Sequence, residues 1–397
     1  MQFDVAVVGA SVAGSAVAAL ARARGLSVAV IEQRPRADLG RPGIRGLVPV
    51  WALEDARLPV GELVALPGRV HVVAGDARAS VELPDCVLVD PGPLTASLLD
   101  RAVAEGATLV DGARVRGIDQ DGVVTTRGPV PARIVVDASG ARGARLLGEL
   151  ATSPRDVASI AYERRMLGDR AVAYSFLEAL GAERGDTIAF LAPCGPGTAI
   201  LVRMDEVVEI DALSFGADDG GPTARAVIRR FASSVGWIGD LLASEAEQIA
   251  LGHVRGVVAS DPIALVGSAA GGVRPTRGAE LASGLLSARM LVEAIARGDG
   301  LAAYDARWHA RFRRLAAFDA TLARALRSVD EAAAARLVRS GAIGERVVRA
   351  VCEQRVARVP ALRLAGFAAL QNGRRAIASV LAPLAPQLRP ALAGGPR

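Results

Sequence analysis

The sequence predicts an α/β protein, and three segments in which an apolar strand runs into a glycine-containing turn carry that prediction. They are FDVAVVGASVAGSAVAALARARGLSVAVIEQ (residues 3–33), RIVVDASGARG (residues 133–143) and SDPIALVGSAAGGVRPTRGAELASGLLSARMLVEAI (residues 260–295). In the first and third segments the turn is followed by an apolar run of helical length. Strands that alternate with helices in this way are typical of a parallel sheet.

The amino-acid composition limits the classes of protein to which this chain can belong. The 397 residues, of which 51% are hydrophobic, are ample for one large or two modest cores. All 47 basic residues are arginine, and no basic block is interleaved with aromatic residues. We therefore expect no nucleic-acid partner, and the absence of lysine excludes a lysine Schiff base. The three cysteines and three histidines are scattered, so neither a disulfide framework nor a metal site is predicted. No apolar run has the ~18 residues of a membrane span, and we expect a cytoplasmic protein.

The first segment predicts a strand, a helix and a second strand around a tight turn. Val5–Val8 form the first strand, Ser15–Arg24 the helix and Ser27–Ile31 the second strand. Gly9 permits the turn, and Gly14 lets the helix lie close to the strand.

Glu32 makes this segment a candidate dinucleotide site. It follows the second strand, 18 residues after Gly14, where a carboxylate accepts hydrogen bonds from ribose hydroxyls. Free N–H groups at the helix start face a pyrophosphate in such sites. Ser11 takes the place of the middle glycine of the fingerprint. An α/β unit without a nucleotide is the alternative.

The three segments, in this order and at these separations, resemble the FAD-dependent oxidoreductases of the aromatic-hydroxylase and geranylgeranyl-reductase type. The resemblance covers residues 1 to about 310. It implies a Rossmann-like FAD-binding domain with an inserted mixed β-sheet substrate domain and a C-terminal helical region. The expected boundaries are 1–67, 90–150 and 256–300 for the FAD-binding domain, 68–89 and 151–255 for the substrate domain, and 301–397 for the helical region. FAD is the cofactor that it implies, with NAD(P)H as a transient reductant.

The resemblance also assigns cofactor-binding residues. Asp137 and Gly140 match the second motif of the family, and Arg45 lies where the family places an arginine near the ribityl chain or pyrophosphate, with Arg41 as the alternative. The full set is Gly9, Ser11, Val12, Ala13, Gly14, Glu32, Gln33, Arg45, Asp137, Gly140, Gly267, Ser268, Pro275, Gly278 and Glu280.

Three positions depart from the family pattern. Ser268 replaces an aspartate that holds the ribityl chain, and Glu280 stands where a glycine normally lets the flavin ring approach. Asp90 precedes a helix that an arginine usually precedes. We therefore predict that FAD is held more weakly than is usual in the family. In the reductase branch an aromatic residue lies over the flavin, and Phe190 falls at a comparable place, with core packing as the alternative.

The resemblance implies an FAD-dependent monooxygenase or double-bond reductase that acts on a lipophilic, secondary-metabolite-like small molecule, as a monomer or homodimer. The sequence does not decide between these reactions, and it identifies no catalytic acid or base. The alternative is a non-redox cyclase or isomerase on the same scaffold, with the flavin structural, weakly bound or lost. Flavin-dependent halogenation is not expected, because that branch relies on a lysine.

Overall fold

The fold is seen in a computed structural model that describes residues 2–41, 43, 45–55, 66–140, 143–148, 157–194, 197–215, 222–250, 255–271, 279–327 and 329–353. The strands are β1 (Phe3–Val8), β2 (Val28–Ile31), β3 (Gly46–Pro49), β4 (Leu66–Ala74), β5 (Ala77–Val89), β6 (Thr108–Val110), β7 (Val115–Ile118), β8 (Gly122–Thr125), β9 (Gly128–Asp137), β10 (Val157–Leu167), β11 (Thr187–Leu191), β12 (Gly197–Arg203), β13 (Val207–Phe215), β14 (Ile238–Ala250), β15 (Ala259–Ser260) and β16 (Ile263–Leu265). The helices are α1 (Val12–Arg22), α2 (Val50–Asp55), α3 (Pro91–Ala104), α4 (Arg170–Ala179), α5 (Ala224–Val235), α6 (Ala279–Arg297), α7 (Gly300–Leu326), α8 (Glu331–Arg339) and α9 (Glu345–Cys352).

The chain forms two compact units. The first comprises Met1–Gly68, Pro84–Asp156 and Ile249–Ala316, and the second Arg69–Leu83, Val157–Gln248 and Ala317–Arg397. Helix α7 spans the boundary between the two units at residue 316.

A parallel sheet organises the first unit. Its strands lie in the order β6-β2-β1-β9-β16, and each is parallel to its neighbour. Val8 is in register with both Ile31 and Asp137, so these strands end together at one edge of the sheet. Ligands of open parallel sheets bind beyond the carboxyl ends of the strands. This edge therefore positions the candidate site.

Close helix packing joins the first and third predicted segments. The sequence of α1 is rich in alanine, and residues 12–21 are all buried. A Cβ atom on Gly284 of α6 would lie 3.2 Å from Cβ of Ala13, so α6 crosses α1 near its start. From α7, the buried Tyr304 hydroxyl donates a hydrogen bond to the carbonyl of Leu265 (2.7 Å). These contacts fix the end of β16 beside the start of α1.

The second unit is built on a mixed sheet with strand order β14-β10-β13-β12-β11-β4-β5. Strands β4 and β5 form a hairpin around Gly75 and Asp76. Helices α4 and α5 cover one face, where Phe190 packs 4.8 Å, between ring centroids, from Phe231. Phe190 is thus a core residue beneath the helices, which was the alternative to a position over a flavin.

The predicted fold class is confirmed by this arrangement of a Rossmann-like parallel sheet, a second mixed sheet and C-terminal helices. Within the described residues, none of the helices combines the length and apolar character that crossing a membrane requires.

Candidate functional site

The first turn, residues 9–14, is closed so tightly that it requires glycine at both ends. Gly9 has a φ of +98°, and a Cβ atom there would lie 2.8 Å from the carbonyl oxygen of Ala138. A Cβ atom on Gly14 would lie 2.0 Å from the carbonyl oxygen of Gly9. Helix α1 therefore begins directly against β1 and β9, as the spacing of the glycines predicts.

Ser11 is the N-cap of α1. Its hydroxyl accepts a hydrogen bond from Gly14 N (3.3 Å) and donates one to the Ala138 carbonyl (3.0 Å). The first intrahelical bond runs from Ser15 N to Ser11 O, so the N–H groups of Val12 and Ala13 precede it. These N–H groups and the positive end of the helix dipole favour an anion at this point.

Glu32 is buried beside the same turn. One carboxylate oxygen accepts the N–H of Ala10 (2.8 Å), and the other accepts the backbone N–H (3.0 Å) and Nε (3.1 Å) of Arg34. The carboxylate has about four acceptor sites and so retains capacity for a ribose hydroxyl. Arg34 is not among the predicted site residues, although it stands two residues after the acid that ends β2.

A cavity of about 470 Å³ lies at this edge of the sheet. Six of the residues that line it are Gly9, Ser11, Glu32, Gln33, Ala138 and Ser139. The cavity is thus bounded by the first turn, by the end of β2 and by the turn after β9. Small-molecule sites have volumes of roughly 300–1,000 Å³, so the adenosine half of a dinucleotide has room here.

The second turn, residues 138–140 and 143–148, is organised by Asp137. One carboxylate oxygen of Asp137 accepts Ser139 N (3.0 Å) and the other accepts Leu146 N (3.1 Å). Gly140 has a φ of +89°, which favours glycine. Both predicted residues thus shape the turn that forms one wall of the cavity.

The third turn, residues 267–271, lies against the start of α1. Gly267 has a φ of +61°, a Cβ atom there would lie 3.0 Å from Cβ of Ala13, and its N–H bonds to the Ser287 hydroxyl (3.2 Å). Ser268 is half-buried within this turn, and Glu280 is half-buried at the start of α6. Pro275 and Gly278 lie outside the described residues.

Arg45 is held by the residue that departs from the family pattern. Its guanidinium lies 3.4 Å from Asp90, and the other carboxylate oxygen of Asp90 accepts the N–H groups of Gly43 and Gly92 (both 2.9 Å). Asp90 is thereby the N-cap of α3 and brings a guanidinium to the start of that helix. Arg41 instead pairs with Asp38 in an exposed position.

Two family models match parts of the chain. A family model of FAD-dependent oxidoreductases matches residues 51–235, and a model of NAD(P)-binding Rossmann-like domains matches residues 7–40. No curated protein sequence matches the chain at a significant level.

Solved structures share the fold over most of the chain. A geranylgeranyl bacteriochlorophyll reductase-like protein from Thermoplasma acidophilum is 16% identical with a TM-score of 0.74, and the alignment covers 96% of this chain and 99% of the other. PqsL from Pseudomonas aeruginosa, a probable FAD-dependent monooxygenase, is 16% identical with a TM-score of 0.65, covering 86% and 100%. The flavin-dependent halogenase CmlS is 17% identical with a TM-score of 0.64, covering 98% and 78%. At these identities the likeness is one of fold.

The two family matches confirm the resemblance and support FAD as the cofactor. The first turn fits this cofactor. A Cβ atom at Gly9 or Gly14 would clash with the neighbouring backbone, and dinucleotide sites need glycine there for the tight turn beside the pyrophosphate. The comparisons give no support to the non-redox alternative.

Proposed function

We propose that this FAD-dependent oxidoreductase is reduced by NAD(P)H and oxygenates or reduces a lipophilic, secondary-metabolite-like small molecule that carries a hydrogen-bonding group. When bound, FAD supplies hydride transfer or the activation of oxygen. Gly9, Ser11, Gly14 and Glu32 hold its adenosine diphosphate half in this proposal, and the mixed sheet of the second unit contacts the substrate.

The observation that carries the proposal is the composition of the sheet face opposite α4 and α5, which we call the second face. Strand registers place three rows of side chains on it. They are Leu191, Thr198, Leu213 and Ile160; Ala189, Ile200, Asp211 and Tyr162; and Thr187, Val202, Glu209 and Arg164. Apolar residues dominate the first row, and charged residues stand at one side of the other two.

Two carboxylates on this face are buried. Glu209 is fully buried and lies directly opposite Arg164, and Asp211 is 8% exposed and lies directly opposite Tyr162. Burying a carboxylate is costly without a partner of opposite charge or a hydrogen-bond donor, and each has a suitable residue across the strand pair. The second face thus combines apolar side chains with charged groups at one side.

Two further atoms favour a polar ligand group. Thr187 Oγ1 and Arg164 Nε are buried and have no hydrogen-bond partner among the described residues. Buried polar atoms without partners are uncommon in native structures, and a ligand oxygen is one way to satisfy them. Together with the apolar rows, they support a lipophilic substrate with a hydroxyl or carbonyl group.

Product analysis tests the proposal. The FAD-loaded protein is incubated in air with NADH or NADPH and with either a phenolic polyketide-type aromatic or an unsaturated polyprenyl compound. We expect NAD(P)H-dependent conversion of one of them. The gain of one oxygen atom in the product identifies a monooxygenase, and the gain of two hydrogen atoms identifies a reductase. Conversion that does not depend on NAD(P)H would contradict the proposal.

A pair of variants tests the second face. Asp211→Asn should raise KM or lower kcat for the substrate without changing the FAD content. Asp205→Asn is the matched control, because Asp205 lies in the same unit and its exposed carboxylate pairs with Arg184. Equal kinetics for Asp211→Asn and the wild type would remove the second face from the proposal.

A further inference from the structure

One arginine joins the second and third turns of the cofactor site. Arg255 donates from Nε to the carbonyl of Ala269 (3.0 Å), and its two terminal nitrogens donate to the carbonyls of Leu147 (3.4 Å) and Gly148 (3.0 Å). Ala269 belongs to the third turn, and the other two residues end the described part of the second turn. Because a guanidinium holds its five N–H groups in one rigid plane, a single side chain sets the distance between the turns.

Helix α7 holds the backbone of Arg255 in turn. His309 is buried, with Nε2 2.8 Å from the carbonyl of Arg255 and Nδ1 2.9 Å from the carbonyl of Asp305. The Asp305 carboxylate accepts the N–H groups of Val258 (2.7 Å) and Ala259 (3.2 Å). Two residues one turn apart on α7 therefore hold this segment, His309 at Arg255 and Asp305 at Val258 and Ala259.

Arg255 holds the residue after Ser268, at the turn where the resemblance expects an aspartate to contact the ribityl chain of FAD. The resemblance expects an aspartate at position 268 to hold the ribityl chain, and Ser268 offers a hydroxyl in its place. A hydroxyl forms a weaker hydrogen bond than a carboxylate. A turn that is already ordered before the ligand arrives binds it with a smaller entropic cost, and this gain offsets a weak contact.

We propose that Arg255, held by His309, is a positioning residue for FAD that fixes the second and third turns in their binding arrangement. The inference depends on FAD as the cofactor and is independent of the substrate. No spacing rule singles out Arg255 among the 47 arginines of the chain.

Binding of FAD and ADP to apoprotein variants separates positioning from general stability. Arg255→Met should raise the Kd for FAD at least tenfold. The Kd for ADP should rise less than the Kd for FAD, because the first turn and Glu32, which Arg255 does not contact, remain in place. The matched control is Arg22→Met: Arg22 also donates from its guanidinium to backbone carbonyls, those of Glu105 (2.8 Å) and Leu26 (2.7 Å), within the same unit. Arg22→Met should lower the unfolding midpoint without moving the Kd for FAD.

A double variant tests whether His309 acts through Arg255. His309→Phe keeps a ring and removes both polar contacts, and it should raise the Kd for FAD by less than Arg255→Met does. Because the two residues are coupled, the double variant should bind FAD no more weakly than Arg255→Met alone. Additive effects would overturn the role of His309. An FAD Kd for Arg255→Met within twofold of the wild type, or an equal rise in Arg22→Met, would overturn the role of Arg255.

Discussion

Replacing Gly14 by alanine tests the turn that shapes the candidate cofactor site. The substitution adds one methyl group to a helix that is otherwise rich in alanine, so it does not disfavour the helix itself. That methyl group would lie 2.0 Å from the carbonyl oxygen of Gly9 and 3.0 Å from Cβ of Ala138. Gly9 and Ala138 follow directly after β1 and β9, and their N–H groups are hydrogen-bonded to the carbonyls of Ile31 and Val8 (both 2.8 Å). We therefore expect the helix to move.

The expected displacement follows from these distances. Ordinary contact begins near 3.4 Å, so the start of α1 must withdraw from Gly9 by about 1.4 Å. Overpacking of this kind costs about 1–3 kcal/mol of stability. The same movement carries the N–H groups of Val12 and Ala13 out of hydrogen-bonding distance of a pyrophosphate. Loss of two such bonds to a charged group, at about 1.5 kcal/mol or more each, corresponds to an FAD Kd about 100-fold higher.

Flavin fluorescence titration of the apoprotein measures this effect, and circular dichroism shows whether the variant is folded. Gly117→Ala is the matched control, because a Cβ atom on Gly117 meets nothing within 4 Å. The control should bind FAD as the wild type does. A folded Gly14→Ala variant with an unchanged Kd would refute the assignment of the first turn to the cofactor.

Three further substitutions have defined outcomes. Ser268→Asp should lower the FAD Kd about tenfold in the same titration, because a carboxylate forms a stronger hydrogen bond to the ribityl chain than a hydroxyl does. An unchanged Kd would show that position 268 does not contact the cofactor. Glu280→Gln should speed anaerobic flavin reduction by NADH or NADPH at least tenfold in stopped-flow absorbance, because the resemblance puts position 280 beside the flavin ring, where a carboxylate opposes the negative charge of reduced flavin. An equal rate would show that Glu280 does not affect flavin reduction. Tyr304→Phe should lower the free energy of unfolding by about 0.5–1.5 kcal/mol in urea, because it removes the hydrogen bond that the buried hydroxyl donates to the Leu265 carbonyl. Burial raises the pKa of Tyr304, so this variant and the wild type should show the same phenolate absorbance up to about pH 11.

The fold and the first turn could be predicted from the sequence because their signals are local. Gly9, Gly14 and Glu32 lie within one strand-turn-helix-strand unit, where spacing alone fixes their relative positions. The structure places Gly9 and Glu32 at the same cavity, and Gly14 lies directly against the carbonyl oxygen of Gly9. Core packing is one of two sequence-based expectations for Phe190, because apolar periodicity does not say which face of a sheet the helices cover.

Contacts between distant segments could not be predicted. Arg45 meets Asp90, and Arg255 meets the carbonyls of Leu147 and Ala269, only after the parallel sheet has formed. Every residue has a backbone carbonyl, so the residue types of the partners do not identify an arginine that bonds to carbonyls. The positions of Glu209 and Asp211 on the second face depend on the register of β10 and β13, which the sequence does not determine.

Flavin binding followed by anaerobic reduction tests whether this protein is a redox flavoprotein. The apoprotein is titrated with FAD, and a sample with protein in excess over FAD is then mixed with NADH or NADPH in the absence of oxygen. We expect saturation at one FAD for each chain and a loss of the oxidised flavin absorbance with one of the two reductants. A folded protein that binds no FAD in the titration, or whose bound FAD neither reductant bleaches, would refute the oxidoreductase proposal.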